Sequence, residues 1–483
     1  MLERLKCRAL CRMTGLFFSS RISQARGTRR PGAAPEVALA TKFSANCRSA
    51  RLNRMNILLL FALAAPFAVP ADEVPWTEQF TAESAAANRA CATKDLVECR
   101  GHLLRLKDLA DGRGDIIYRL AKVESALGNR ATAMDLLSDF SGMGLQVADP
   151  MSDAAFDELR NSAEFQTIVA RLRAASIPVS SSRVFATLAE KDLIPEDIVY
   201  DSANGRFLVS SVRHCKIISL TRDGKASDFV AEGKWPILAL AADSAHRVLW
   251  ATAVALPEGS GYDPADEGKS ALLKFSLDSG SLLKRYELPP GARHELGDIT
   301  LSRNGDAYVS DGRGSVYVVR QGADRIELLL GPGAFRSPQT PALSPNGRVL
   351  FVPDYTRGIG MVDLATKETK LLKHPANLSL AGIDGLYLAG RTMVAIQNGT
   401  RPERLIRMHL DRRLTKVLQW ETIEANWRGL GDPTHGVRVG SRFYFIANSG
   451  WDVKPGGTFE SATIRVMKWR KRARSRAICG TTA

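Results

Sequence analysis

Between Pro195 and Trp451 the apolar residues fall in short runs broken by Gly, Asn and Asp. One phrase recurs six times: a polar or acidic residue, a short apolar strand, a tight turn, then a second apolar strand. The copies run from Asp197 to Ser210, Leu238 to Thr252, Asp298 to Asp311, Thr340 to Asp354, Asp384 to Asn398 and His435 to Asn448. Their turn markers are Gly205, His246, Gly305, Gly347, Gly390 and Gly440, at steps of 41, 59, 42, 43 and 50 residues. A period in the forties with several strands per unit predicts a six-bladed β-propeller over 183–470, a mainly β fold with six equivalent strand starts around one axis. Blade six supplies only three strands of its own, and Arg183–Leu188, just before blade one, is expected to complete it and close the ring. The 59-residue step reflects an insertion, Leu256–Gly268, read as a solvated loop or a flap over the ring.

Before the propeller, 78–175 has helical spacing. Leu96, Leu103, Leu106 and Leu109 fall on one face; Ile116, Ile117, Leu120 and Ala121 begin another, and Ala133, Met134 and Leu137 a third. Tyr118, Leu120-Ala121, Ala126-Leu127-Gly128 and Ala133 resemble a tetratricopeptide unit. That resemblance implies either a peptide-binding groove or, with one clear repeat against the three a solenoid needs, a small helical cap packed on the propeller. Ile177–Ser182 reads as the linker.

Met55–Ala71 reads as a secretory signal: an uncharged run from Ile57 to Val69, then Val69-Pro70-Ala71 before Asp72. The run is too short to span a bilayer, so no stable membrane span is expected, and the mature chain is expected to be periplasmic or secreted. Residues 1–54 have no apolar periodicity and read as an extension from a misplaced start codon. Cys91 and Cys99 could form a disulfide in an oxidising compartment only if a turn separates them, because eight residues along one helix span ~12 Å.

The formal charge of +15 suggests a polyanion partner until it is located. Residues 1–54 hold 12 Lys/Arg against two Asp/Glu, and 468–483 hold six against none, leaving the body near neutral. A near-neutral body excludes a nucleic-acid footprint, and 471–483 is a solvated basic tail. There is no Gly-x-Ser-x-Gly elbow, no His-Glu-x-x-His and no phosphate-binding Gly loop.

Candidate chemistry therefore gathers at the strand starts. In a four-stranded blade the first strand lines the axis and the end of the second returns to the same face. The inner set is Glu196/Asp197, Ala239, Gly297/Asp298, Thr340, Asp384 and His435; the outer set is Ser211, Thr252, Asp311, Asp354, Asn398 and Asn448. The outer Asp and Asn suit turns between the second and third strands. The inner carboxylates either bond the backbone of neighbouring blades or contact a metal or substrate.

Pro195-Glu196-Asp197-Ile198-Val199-Tyr200-Asp201 with Asn204-Gly205-Arg206 resembles the first-blade phrase of the regucalcin/gluconolactonase family of six-bladed propellers, and Gly382-Ile383-Asp384-Gly385-Leu386 its fifth-blade phrase. The resemblance implies one divalent cation (Ca²⁺, Mg²⁺ or Zn²⁺) held by a Glu, an Asn and an Asp, with the Asp also moving protons in lactone hydrolysis. Glu196 and Asp384 fall on the Glu and Asp positions; the Asn position falls on Gly297, beside Asp298. The expectation is a cation on Glu196, Asp298 and Asp384, with Asp384 or His435 taking a proton from water that attacks a small lactone or ester. The alternative is a non-catalytic propeller that binds a protein, peptide or glycan.

Overall fold

Each recurring phrase folds as the two inner strands of a four-stranded antiparallel sheet, and six such sheets form a ring. The structure, a computed structural model, describes residues 74–454 and 456–469. The expected extension 1–54, the signal segment 55–71 and the tail 471–483 lie outside the described residues. The inner strands are Pro195–Asp201, Ile237–Asp243, Leu296–Leu301, Ala342–Leu343, Gly385–Ala389 and Gly436–Val439. The turn glycines Gly205, Gly305, Gly347, Gly390 and Gly440 all take positive φ, which only Gly adopts without strain; in blade two this conformation falls on Arg247, next to His246.

The core is not one volume but six wedges. One apolar cluster fills each gap between neighbouring blades, as in Leu208, Ile217, Leu249 and Phe275 between blades one and two. The closing wedge needs the N-terminal strand. Arg183–Thr187 pairs antiparallel with Thr463–Lys468 as the outer strand of blade six. Its Phe185 packs at 5.1 Å from Phe207 of blade one and 5.0 Å from Tyr444 of blade six. The linker is also used: Val179–Ser180 adds a fifth strand to blade five, opposite Ala425 and Glu424, and so covers that edge.

Among the described residues, five α-helices precede the ring: α1 (Trp76–Ala92), α2 (Leu96–Leu109), α3 (Gly114–Ala126), α4 (Arg130–Gly142) and α5 (Ala163–Ala174). Among these residues, no helix is long and apolar enough to cross a membrane. A turn does separate Cys91 from Cys99. Lys94 takes φ 60° and Asp95 caps α2 by accepting from the Glu98 N–H at 3.0 Å. The two Cα atoms come within 5.0 Å and the cysteines form a disulfide.

The helices dock on the propeller face where the inner strands begin, over blades four and five. Trp76 Nε1 donates to Ala334 O at 3.0 Å, and Gln146 N donates to Arg401 O at 2.7 Å. The fully buried Arg404 donates through Nη1 to Met143 O at 2.5 Å and through Nε to Gln397 Oε1 at 2.8 Å. Burial pushes its pKa down to about 9. Of the two readings the sequence left open for this segment, the structure matches the packed cap.

Two outcomes follow from this arrangement. Replacing 183–188 by a flexible Gly/Ser segment should open the ring, leave Thr463–Lys468 as a bare edge, and abolish a single cooperative melt. A variant that melts like the parent would show that the closing strand is dispensable. The second concerns His374, whose Nε2 lies 3.2 Å from Asp111 Oδ2 in the α2–α3 turn. Burial opposes its charge, but Asp111 outweighs burial and raises the pKa above 6.5. A raised folded pKa stabilises fully below the unfolded value and is lost as pH rises through the folded one. Hydrogen exchange in the α2–α3 turn should therefore quicken from about pH 6 to about pH 8, after correction for intrinsic rate. Asp111→Asn should remove that excess; an unchanged excess would sever it from this pair.

Candidate functional site

The inner strands of blades one, two and three are interrupted at equivalent places. Regular pairing shifts between Pro195 and Ile198, Ile237 and Leu240, and Leu296 and Ile299. A bulge re-aims side chains and frees backbone groups. Here a hydroxyl on the second strand takes each freed N–H: Ser210 Oγ from Asp197 N at 2.9 Å, Thr252 Oγ1 from Ala239 N at 3.0 Å, and Ser310 Oγ from Asp298 N at 3.0 Å. Two of these hydroxyls donate onward to the next blade, Ser210 to Leu238 O at 2.6 Å and Thr252 to Gly297 O at 2.7 Å. The bulges thus sit where Glu196, Asp197 and Asp298 are needed, and the hydroxyls lock them.

Blade six begins on His435, with Gly436 next. A Cβ at Gly436 would stand 2.4 Å from Tyr444 O, so only glycine lets the strand start this close to its neighbour. His435 Nδ1 lies 2.9 Å from Glu196 O of blade one, a carbonyl that can only accept. Its Nε2 lies 2.9 Å from Thr340 Oγ1 and 2.9 Å from Asp298 Oδ1. The Thr340 hydroxyl spends its own proton on Asp384 O at 2.8 Å, so toward His435 it accepts. These partners favour a proton on both ring nitrogens. Burial disfavours this imidazolium, but Asp298, Asp384 and Asp197 outweigh burial and hold its pKa well above 6.5.

Around it stand the carboxylates expected from the sequence. Glu196, Asp384 and His435 place one ligand-type atom each within 4.8 Å of one another, and all three are buried. Asp384 Oδ2 accepts from Asn398 Nδ2 at 2.6 Å. Asp298 Oδ1 lies at ion-pair distance from His435, and neither of its buried oxygens has a hydrogen-bond partner. Asp197 is different: its oxygens accept from Ile198 N and Leu240 N, both at 2.7 Å, so it ties blade one to blade two. Burial, only partly opposed by His435 and those N–H groups, raises its carboxyl to about 6.

Glu196, Asp384 and His435 are thus brought together, and Asp298 joins them through His435 Nε2. The outer carboxylates are not part of the cluster. Asp311 Oδ1 accepts from Arg313 N and Glu295 N, and Asp354 from four backbone N–H groups, in the turn role their position suggests. His435 is expected from the sequence as a proton acceptor; held charged by the axial carboxylates, it would give a proton rather than take one and would offer no lone pair to a metal. The repeat pattern does not single out Trp451. Its Nε1 donates to Glu196 Oε2, and its loop packs with Phe459 over Ile194, Val212 and Leu238. Only its place after the last second strand could have marked it.

The pair at the centre has a measurable energy. His435→Gln should destabilise the fold by about 3–5 kcal/mol, because it leaves Asp298 buried without its counter-charge. In a double-mutant cycle with Asp298→Asn, denaturant melts should give a coupling of about 0.5–3 kcal/mol. Strict additivity would mean that the two side chains do not sense each other.

No protein-family model matches this chain, and no curated protein matches it. Solved structures do. An oxidoreductase from Thermus thermophilus, described as a glucose dehydrogenase, is 17% identical with a TM-score of 0.42, over 59% of this chain and 100% of that one. Virginiamycin B lyase from Staphylococcus aureus is 13% identical with a TM-score of 0.41, over 58% and 97%. A protein assigned as a gluconolactonase is 14% identical with a TM-score of 0.42, over 60% and 92%. Likeness at this level carries no argument about chemistry.

Proposed function

We propose that the axial cluster is the centre of an exported hydrolase acting on a small lactone or ester, with Glu196, Asp298 and Asp384 as oxygen donors to a divalent cation. One observation carries this reading: three buried carboxylates converge on a single imidazolium, and Asp298 Oδ2 has no hydrogen-bond partner. Such an excess of buried negative charge is costly unless a cation or protons offset it. An all-oxygen donor set suits Ca²⁺ or Mg²⁺ better than Zn²⁺, since both His435 nitrogens are engaged. Bound there, the cation would polarise a carbonyl. Asp384, held by Asn398, is the candidate proton acceptor; His435, through Nε2, is the candidate donor to the leaving oxygen. Trp451, on Glu196, would limit water on that side. Export to the periplasm or beyond is supported by the Cys91–Cys99 disulfide, a bond of oxidising compartments.

A second reading has its own observation. Glu196, Asp298 and His435 are each 1% exposed and Asp384 4%, and the helical cap covers part of the same face. Groups so enclosed also suit a structural hub in a propeller that binds a protein, peptide or glycan on its outer surfaces.

Metal analysis of protein purified without chelator, paired with aldonolactone hydrolysis, separates the two. The hydrolase reading expects a bound cation, and a stabilisation of about 2.7 kcal/mol when cation is added at 100 times its Kd. Asp384→Asn should lose that stabilisation, and turnover should fall about 10²–10⁴-fold. A metal-free, inert protein whose melt ignores added cation would overturn the hydrolase reading in favour of the binding one.

A further inference from the structure

A second site candidate lies away from the axis, where the helical cap meets blade four. A cleft of about 650 Å³ opens there, with Trp76 of α1 on one side and Phe335, Arg357, Met361, Leu371 and Lys373 of the propeller on the other. That volume is within the range of small-molecule sites, roughly 300–1,000 Å³. Arg357 follows Asp354 in the turn between the second and third strands of blade four, and its guanidinium lies 4.7 Å over the Trp76 ring. Its Nε is buried with no hydrogen-bond partner; Asp111, paired with His374, and Asp354 act on the guanidinium through space, but no carboxylate among the described residues forms an ion pair with it. The Asp354 carboxylate also lines the cleft, but four backbone N–H groups already engage it. Lys373, exposed at the cleft, has no ion pair among the described residues either.

A half-buried guanidinium whose buried Nε has no hydrogen-bond partner is an exception that needs a reason. Stacking on Trp76 satisfies one face of the group but none of its N–H donors. A fork of donors, a second cation and three apolar side chains in one concave space are complementary to a molecule with an acidic head and an apolar body. We propose that this cleft binds a small amphiphilic organic anion, its carboxylate or phosphate on Arg357 and Lys373 and its apolar part against Phe335, Met361 and Leu371. Since Trp76 belongs to the cap and the other residues to the propeller, the ligand would also fasten one to the other. This site is independent of the axial cluster and stands or falls apart from the hydrolase reading.

Calorimetry and thermal melting of the full chain with phenylacetate, phenyl phosphate and the neutral phenylacetamide provide the test. At least one anion should bind saturably and raise the melting temperature, and the amide should not. Binding of only the phosphate ester would assign a phosphorylated ligand, and binding of only phenylacetate a carboxylic acid. Arg357→Gln should weaken the binding by about tenfold or more, and Lys373→Gln should weaken it less. If Arg357→Gln fails to fold, Lys373→Gln, at an exposed position, carries the test alone. No saturable binding of either anion, equal binding of the amide, or affinity unchanged in the variants would overturn the proposal.

Discussion

A six-bladed ring has a difficulty that a single sheet does not: six strand starts must converge on one axis, where polar side chains are buried against one another. In this chain one imidazolium resolves much of that crowding. His435 starts blade six, donates to the backbone of blade one through Nδ1, and meets Thr340 of blade four and Asp298 of blade three through Nε2. Thr340 passes the connection to blade five by donating to Asp384 O. Blades one and two are joined separately, by Asp197 accepting from Leu240 N. The charge that lets His435 serve both partners is itself maintained by the carboxylates it organises. Geometry and protonation are thus one constraint at the axis.

The closure of the wall obeys a different rule. Interblade wedges are apolar and local in space, but the last one requires a strand separated by most of the propeller sequence from its partner. Phe185, Phe207 and Tyr444 form a compact aromatic group at that seam, with Phe207 and Tyr444 4.7 Å apart. Polar ties at the axis and an aromatic seam at the rim hold the same ring by independent means.

Much of this was legible in the sequence because strand repeats announce themselves through turn chemistry. Gly205, Gly305, Gly347, Gly390 and Gly440 mark left-handed turns, and the short count of strands in blade six pointed to Arg183–Leu188. The positions of Glu196, Asp298, Asp384 and His435 followed from the repeat. What did not follow was their electrostatics. The protonation of His435 depends on the Glu196 carbonyl and on the Thr340 hydroxyl having donated elsewhere, contacts 239 and 95 residues away in sequence. Trp451 reaches Glu196 across 255 residues. The docking of the cap on blades four and five rests on single bonds such as Arg404 to Met143 O, which leave no periodic trace. Ser210 and Ser310, which support two of the bulges, read as ordinary strand residues until their freed N–H partners are seen, and Thr252, a member of the outer set, gives no sign of this role.

The axial cluster depends most on the protonation state of one ring. Nitrogen NMR on protein labelled at histidine, with His435 assigned by comparison with His435→Gln, reads that state without reference to activity. At about pH 7.5, above the ordinary histidine pKa, both nitrogens of His435 should report bonded protons, and adding Ca²⁺ should leave both protonated. A neutral ring with one bare nitrogen at that pH, or a ring nitrogen that loses its proton when the cation is added, would contradict a charged His435.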